Sequence, residues 1–186
     1  MSSERNYIRS EDELNLQLKG LVEIRNIMYS LGIKMWLSAG TLLGAVRDHD
    51  FIPWDWNVSV GCFADEINPK YSQLKTQLIK AGFKLAPHDK GEYISLTAKR
   101  DGIKYVIENV IIIGEWATRP MHKSPASMCK SFEKINLRGE LFFCPADPEK
   151  CVEWQYGADW RTPKRVSHRN EVINPEHHIR KRDNLK

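Results

Sequence analysis

A short apolar segment, Lys34–Ser38, runs directly into the glycine-containing sequence AGTLLGAVRD, and this order constrains the fold more than any other feature of the chain. The first segment predicts a strand, and Gly40 and Gly44 predict a tight turn with a short helix. A glycine turn lets backbone approach phosphate groups, and the N–H groups at a helix start face their negative charge. The order is therefore typical of a nucleotide-phosphate site.

A second apolar segment, DFIPWDWNVSVG, follows this turn and predicts a second strand. Alternate side chains of a strand point to opposite faces. Trp56, Val58 and Val60 would share one face, and Asp55, Asn57 and Ser59 the other. Acidic residues at alternate positions, completed by a third on a neighbouring strand, can hold Mg²⁺. The polar face is therefore where we expect the chemistry.

The rest of the chain carries local signals for helices and strands. Ser10 and Glu13 form a capping-box pattern ahead of an apolar stripe that Gly32 ends. The other predicted elements are a helix over 69–81, strands over 93–99 and 104–113, an irregular segment over 114–130, a hairpin over 134–144 that turns at Arg138-Gly139, and a helix from Asp147-Pro148 to Gly157.

Length and composition indicate one globular domain. The chain has 186 residues, of which 41% are hydrophobic and 28% charged. It contains no apolar run of about eighteen residues, so no transmembrane helix is expected. The polar start lacks the apolar stretch of a secretory signal. We expect a cytoplasmic protein if the sequence is complete, and one of the Golgi or secretory lumen if it is an excised domain.

The net charge of +4 is concentrated at the C-terminal end. Residues 161–186 carry eight Lys/Arg against three Asp/Glu, whereas the preceding residues carry twenty against twenty-one. We predict a single domain over 1–163 and a basic, irregular tail over 164–186. The body shows no basic stripe with interleaved aromatics, which disfavours nucleic-acid binding.

The four cysteines are Cys62, Cys129, Cys144 and Cys151, and no two of them have the short spacing of a zinc site. Reduced thiols are the favoured interpretation, and a Cys144–Cys151 disulfide is the alternative in a secreted protein.

Two long motifs resemble the LicD/fukutin family. WLSAGTLLGAVRDHDFIPWDWNVSVG is similar to the family pattern of a G-T-L-L-G-x-x-R turn, I-P-W-D and alternating aspartates. LRGELFFCPADPEKCVEWQYGADWRTP resembles the closing motif, in which a proline-capped helix leads to Y-G-x-x-W-x-x-P. The resemblance implies a nucleotidyltransferase-like α/β fold, with a mixed sheet flanked by helices. It also implies transfer of phosphocholine or ribitol phosphate from a CDP-linked donor to a glycan.

The same resemblance implies roles for individual residues. Gly40 and Thr41 would form the phosphate turn, and Arg47 and His49 would line the donor pocket. The resemblance also implies a site for Mg²⁺ or Mn²⁺. Asp55 would be the first of the acidic ligands at alternate positions, and Glu108, on another strand, would be the carboxylate that completes the ligand set.

The chain departs from the family pattern at Asn57 and Ser59, where the pattern has acids. Amide and hydroxyl oxygens are neutral, so the metal site loses two negative charges that would hold the cation. Phosphoryl transfer depends on that cation to offset the negative charge of the reacting phosphate. Three hypotheses follow: a phosphotransferase with a degraded metal site, an inactive relative that binds a nucleotide, a glycan or a protein, and a nucleic-acid-associated protein that uses its basic tail.

Overall fold

The computed structural model describes residues 7–90, 93–119 and 122–165. The helices in these ranges are α1 (Glu11–Ser30), α2 (Ala39–Arg47), α3 (Ala64–Ile67), α4 (Tyr71–Lys80) and α5 (Pro148–Tyr156). The strands are β1 (Trp36–Leu37), β2 (Asn57–Phe63), β3 (Lys84–Lys90), β4 (Tyr93–Arg100), β5 (Ile103–Ile113), β6 (Trp116–Arg119), β7 (His122–Pro125), β8 (Phe132–Leu137) and β9 (Glu140–Pro145).

The described strands form one mixed sheet in the order β3-β4-β5-β2-β1-β9-β8, and β6 and β7 extend from β5. Two neighbouring pairs, β2 with β5 and β1 with β9, are parallel, whereas the other pairs are antiparallel. The predicted α/β class with a mixed sheet flanked by helices is confirmed.

The first helix packs against one face of this sheet, as its apolar stripe predicts. The Tyr105 hydroxyl of β5 donates to the Gln17 carbonyl of α1 at 3.2 Å. Gly20 permits this approach, because a Cβ at that position would overlap the Tyr105 ring. The predicted capping box of Ser10 and Glu13 is present.

The polar and apolar faces of β2 also agree with the prediction within the strand. Val58 and Val60 are buried, whereas Asn57 and Ser59 are partly exposed. Trp56 was expected on the apolar face, but it precedes the strand and is 45% exposed. It stacks on Tyr7 instead, at 5.9 Å between ring centroids. The alternation begins only at Asn57, because a turn at Pro53 and Trp54, closed by the Asp55 N–H donating to the Ile52 carbonyl at 2.9 Å, precedes the strand.

Two local predictions are wrong. The short helix predicted with Gly40 and Gly44 is present as α2, but the two glycines do not bracket a tight turn, because both lie within this helix. At the start of α2, the residue with left-handed backbone angles is Ala39, with φ +48°. The segment over 114–130 is not irregular, since it contains β6, β7 and a 3₁₀ turn over 126–129. Here pairing with β5 overrides weak local strand propensity. The strand β3 had no sequence-based prediction.

The other predicted helices and strands agree with the structure where it describes them. The two later hairpin strands are β8 and β9, and α5 begins after Asp147 and ends at Gly157, where φ is +86°. All four cysteines are free. The basic tail lies outside the described residues from 166 onward, so its irregular structure stays a prediction. In the described part of the chain, no helix has the length and apolar character needed to cross a bilayer.

Candidate functional site

The junction between β1 and α2 is joined to β2 by backbone and hydroxyl hydrogen bonds. The Ser38 N–H donates to the Ser59 carbonyl at 3.1 Å, and the Ser59 N–H donates to Thr41 Oγ1 at 2.8 Å. Thr41 is only 2% exposed. The structure therefore places Thr41 inside the fold, where it ties α2 to the strand that carries Asn57 and Ser59.

Gly40 lies against the carboxylate of Asp55. A Cβ at Gly40 would overlap Asp55 Oδ2 and lie 3.3 Å from its Cγ, so only glycine leaves room for this approach. The other oxygen, Oδ1, accepts the Asn57 N–H at 3.1 Å. Arg9 orders the same segment by donating to the carbonyls of Asp55 and Trp56 at 3.4 and 3.5 Å. The carboxylate thus occupies the positive end of α2, where negative charge is stabilised.

The predicted acidic face is assembled by the parallel pairing of β2 with β5. Asn57 lies opposite Lys104, Ser59 opposite Val106, and Gly61 opposite Glu108. Paired residues of neighbouring strands project to the same face. Glu108 therefore shares a face with Asn57 and Ser59, as the resemblance implies.

Glu108 is already paired within the fold. Its Oε2 lies 3.3 Å from Arg119 Nη1 of β6, and the side chains are only 19% and 13% exposed. Arg119 also donates to Gln155 Oε1 of α5 at 3.5 Å. No sequence signal identifies Arg119, because this arginine reaches Glu108 only through the β5–β6 hairpin, which was not predicted.

The side chains present fit Mg²⁺ or Mn²⁺ poorly. No group of three His, Cys, Asp or Glu in the described ranges is placed to hold a metal ion. Asp55 caps a backbone N–H, Glu108 pairs with a guanidinium, and Asn57 and Ser59 offer only neutral oxygens. A divalent ion would compete with Arg119 for the charge of Glu108 and would meet one other carboxylate, that of Asp55, whereas hard cations favour a richer set of charged oxygens.

Tyr156 is a residue of this site that the sequence analysis did not single out. Burial, and then the charges of Asp55 and Glu108, raise the pKa of its phenol, and Arg119 and Arg47 oppose this shift. The phenol therefore stays neutral among two carboxylates and two guanidinium groups. The signal that could have identified it is the Y-G-x-x-W sequence of the closing motif, because Tyr156 is its first residue.

The two other predicted donor-pocket residues lie at the opposite end of α2. Arg47 holds both carboxylate oxygens of Asp48, at 2.9 and 2.6 Å. His49 is exposed and left-handed, with φ +56°, and its carbonyl accepts the Arg138 N–H at 3.2 Å. A nine-residue helix is about 13 Å long. Arg47 is among the charges that oppose the rise in the pKa of Tyr156. His49 lies two residues beyond Arg47 and is therefore separated from Gly40 and Thr41 by the length of the helix.

A small cavity of about 60 Å³ lies between the start of α2, the β6–β7 hairpin and α5. Its walls include Ser38, Ala39, Arg119, Cys129 and Trp154. Ser38 is 5% exposed, and its hydroxyl has no hydrogen-bond partner among the described residues. An unpaired buried hydroxyl next to a guanidinium and a helix start is chemically suited to an anionic oxygen.

Solved structures with a similar fold are nucleotidyltransferases. A solution structure of the antibiotic-resistance factor ANT(2'')-Ia has a TM-score of 0.55 at 12% sequence identity, covering 76% of this chain and 70% of that chain. A crystal structure of ANT(2'')-Ia in complex with adenylyl-2''-tobramycin has a TM-score of 0.52 at 12% identity, covering 70% of each chain. At this identity the similarity shows the fold alone.

Similar sequences include transferases of animals. The ribitol 5-phosphate transferase FKRP of Mus musculus and that of Homo sapiens are each 39% identical over 41 residues, which is 22% of this chain and 8% of the relative. The uncharacterised protein T07A5.1 of Caenorhabditis elegans is 24% identical over 155 residues, covering 75% of this chain and 41% of its own length. The chain thus matches less than half the length of each of these relatives.

The family model described as LicD/FKTN/FKRP, nucleotidyltransferase domain, matches residues 32–147, more than half of the chain. This range contains the β1–α2 junction, the strand with Asn57 and Ser59, and the Glu108–Arg119 pair. With the fold and both motifs in agreement, the chain belongs to the LicD/fukutin family of nucleotidyltransferase-fold domains.

Proposed function

We propose that this chain binds a CDP-linked phospho-alcohol donor, of the phosphocholine or ribitol phosphate type, and that this binding requires no divalent ion. The observation that supports the proposal is the pairing of Glu108 with Arg119 beside the cavity at the start of α2. In this proposal the domain keeps the fold of its phosphotransferase family, but the positive charge that binds the donor phosphates comes from the Arg119 side chain and not from a metal ion.

Arg119 has the chemistry that diphosphate recognition requires. A guanidinium binds phosphate oxygens through two parallel N–H donors, and such charge-assisted hydrogen bonds are stronger than neutral ones. Its side chain is only 13% exposed, so water screens it weakly. The neighbouring Ser38 hydroxyl supplies a further donor that has no described partner.

The start of α2 contributes less than a free helix terminus would. The Asp55 carboxylate already lies against Gly40 and neutralises part of the positive end of the helix. A phosphate at this position would be repelled by Asp55. The arginine is therefore expected to carry most of the affinity for the donor phosphates.

Transfer of the phospho-alcohol to a glycan is the second candidate function. The observation that favours it is that the chain keeps Asp55 and Glu108, the two carboxylates of the family pattern, on neighbouring segments at β2 and β5. In that reaction an acceptor hydroxyl would attack the phosphorus that bears the alcohol and give up its proton to solvent, while the bond between this phosphorus and the bridging oxygen breaks and CMP leaves. The neutral oxygens of Asn57 and Ser59 weigh against it, since each lost charge lowers stabilisation of the reacting phosphate.

Calorimetric titration with CDP-choline and CDP-ribitol, in Mg²⁺ and in EDTA, tests the proposal. We expect the same affinity in both buffers. Arg119→Gln should weaken binding about 10- to 100-fold, because a hydrogen bond to a charged group contributes about 1.5–3 kcal/mol. Arg161→Gln is the matched control, since Arg161 is an exposed arginine paired with Glu149.

Each other outcome has a distinct meaning. Binding that disappears in EDTA would contradict the metal-independent site and favour the transferase. CMP release from either donor in the presence of a glycan would establish the transferase directly. If neither donor binds under any condition, both candidate functions are wrong for these donors.

A further inference from the structure

Three lysines form a straight row across the sheet on the face that carries Asn57. Lys84 of β3 lies opposite Lys99 of β4, and Lys99 lies opposite Lys104 of β5. Lys104 in turn lies opposite Asn57 of β2. Neighbouring strands are about 4.8 Å apart, so the row extends about 14 Å from the candidate site to the edge strand. We call Lys84, Lys99 and Lys104 the lysine row.

The lysine row is not neutralised by nearby carboxylates. Of the ion pairs in the described part of the chain, none includes any of these three residues. By contrast, Arg100, at the same end of the sheet but on the face that packs against α1, pairs with both Glu23 and Asp101. Like charges directly opposite each other destabilise a sheet. Three of them in register are therefore a cost that the fold itself does not explain.

The groups beside the row are hydroxyls and an amide. The next row of the same face contains Thr97, Val106 and Ser59, and the row after it contains Ser95 and Glu108. Thr97 is only 3% exposed and Val106 is apolar, so neither offers a polar group to a ligand. The groups that remain are the partly exposed hydroxyls of Ser59 and Ser95 and the Asn57 amide. None of the side chains described in these rows is aromatic, so the face has no stacking platform. Proteins that bind single-stranded nucleic acid combine a basic groove with aromatic stacking. The face therefore suits sugar hydroxyls and phosphates better than bases.

We infer that the lysine row is a binding surface for a phosphate-bearing glycan, which lies across β3, β4 and β5 and reaches the candidate site at Asn57. Each ammonium contacts an anionic oxygen of the ligand, and the neighbouring hydroxyl and amide groups contact its sugars. The choice of a glycan rests on the second candidate function, transfer of the phospho-alcohol to a glycan, whereas the surface for anions rests on the strand register alone.

Binding of phosphomannan oligosaccharides to the full chain tests this inference, and the same oligosaccharides after dephosphorylation serve as the ligand control. We expect the triple variant Lys84→Gln, Lys99→Gln, Lys104→Gln to bind at least about tenfold more weakly. The slope of log affinity against log salt should fall by about 2, because three phosphate contacts are lost. The matched control is Lys19→Gln, Lys75→Gln, Lys80→Gln, which removes the same charge from α1 and α4 on the other face.

A measurement of thermal stability separates binding from a structural role. If the lysines repel one another, the first triple variant should unfold at the same temperature as the wild type or a higher one. A lower unfolding temperature would overturn the premise that the row is unneutralised. Equal loss of binding in both triple variants would also overturn the inference, because general charge would then explain the affinity.

A single-stranded oligo-dT of equal charge identifies the class of ligand. Tighter binding of this oligonucleotide through the same lysines would replace the glycan with nucleic acid and so refute the proposed occupant. A CDP-choline titration of the wild type and the first triple variant keeps the two proposals apart. Failure to bind CDP-choline concerns the proposed function, whereas phosphomannan binding that ignores the lysine row refutes this inference.

Discussion

Replacing Gly40 with alanine tests whether the Asp55 carboxylate is held against the first turn of α2. The new Cβ would overlap Asp55 Oδ2 and lie 3.3 Å from its Cγ, so either the carboxylate or the helix start must move. Overpacking of this kind costs about 1–3 kcal/mol. Alanine recovers about 1 kcal/mol of helix propensity. The expected net loss is therefore as much as about 2 kcal/mol, or about 4–8 °C in Tm for a chain of this length.

The same substitution in an Asp55→Ala background is the control. Without the carboxylate the overlap disappears, so Gly40→Ala should raise Tm by about 2–4 °C relative to Asp55→Ala alone. Urea denaturation of the four proteins of this double-mutant cycle should give a coupling free energy of about 1–3 kcal/mol. Equal effects of Gly40→Ala in both backgrounds would refute the close approach of Asp55 to α2 and, with it, the account of this helix start.

Three further predictions concern the metal site, the strained junction and the buried thiols. Asn57→Asp combined with Ser59→Asp should create Mn²⁺ binding, measurable by calorimetry, because two charged oxygens replace neutral ones; a double variant that binds no more Mn²⁺ than wild type would contradict the assignment of these positions. Ala39→Gly should raise Tm by about 2–4 °C, since a left-handed alanine, here at φ +48°, costs about 1 kcal/mol; an unchanged or lower Tm would argue against strain. Burial raises the pKa of Cys144 and Cys151 from 9.0 to about 12. The contribution of these thiols to the free energy of unfolding is therefore fully present below pH 9 and is lost as the pH rises towards 12. Urea denaturation at pH 8, 9 and 10 should show a falling free energy of unfolding, and a rising one would contradict the shift.

The sequence predicts the elements whose signals are local. A capping box starts α1, Asp147 and Pro148 start α5, and Gly157 ends it. These signals depend on hydrogen bonds and backbone angles within a few residues, so they can be read without the rest of the fold. The motifs around Gly40 and Asp55 likewise identify the family before any coordinate is known.

The β6–β7 hairpin and its consequences could not be predicted in this way. Its prolines and small residues disfavour a strand, although Trp116 and Thr118 favour one, and the residues become strands because β5 offers an edge to pair with. This hairpin brings Arg119 to Glu108, and the resulting ion pair changes the meaning of a carboxylate that the sequence alone assigns to a metal.

The sequence by itself determined the family, the order of most elements and the loss of two acidic residues, because these follow from residue identity and short-range spacing. The tertiary structure alone decided which charges meet. It buried the Tyr156 phenol where Asp55 and Glu108 help raise its pKa, paired Glu108 with Arg119, and set three lysines in register. These relations depend on strand pairing and helix packing over tens of residues, and a shift of one residue in a strand would turn every side chain to the opposite face.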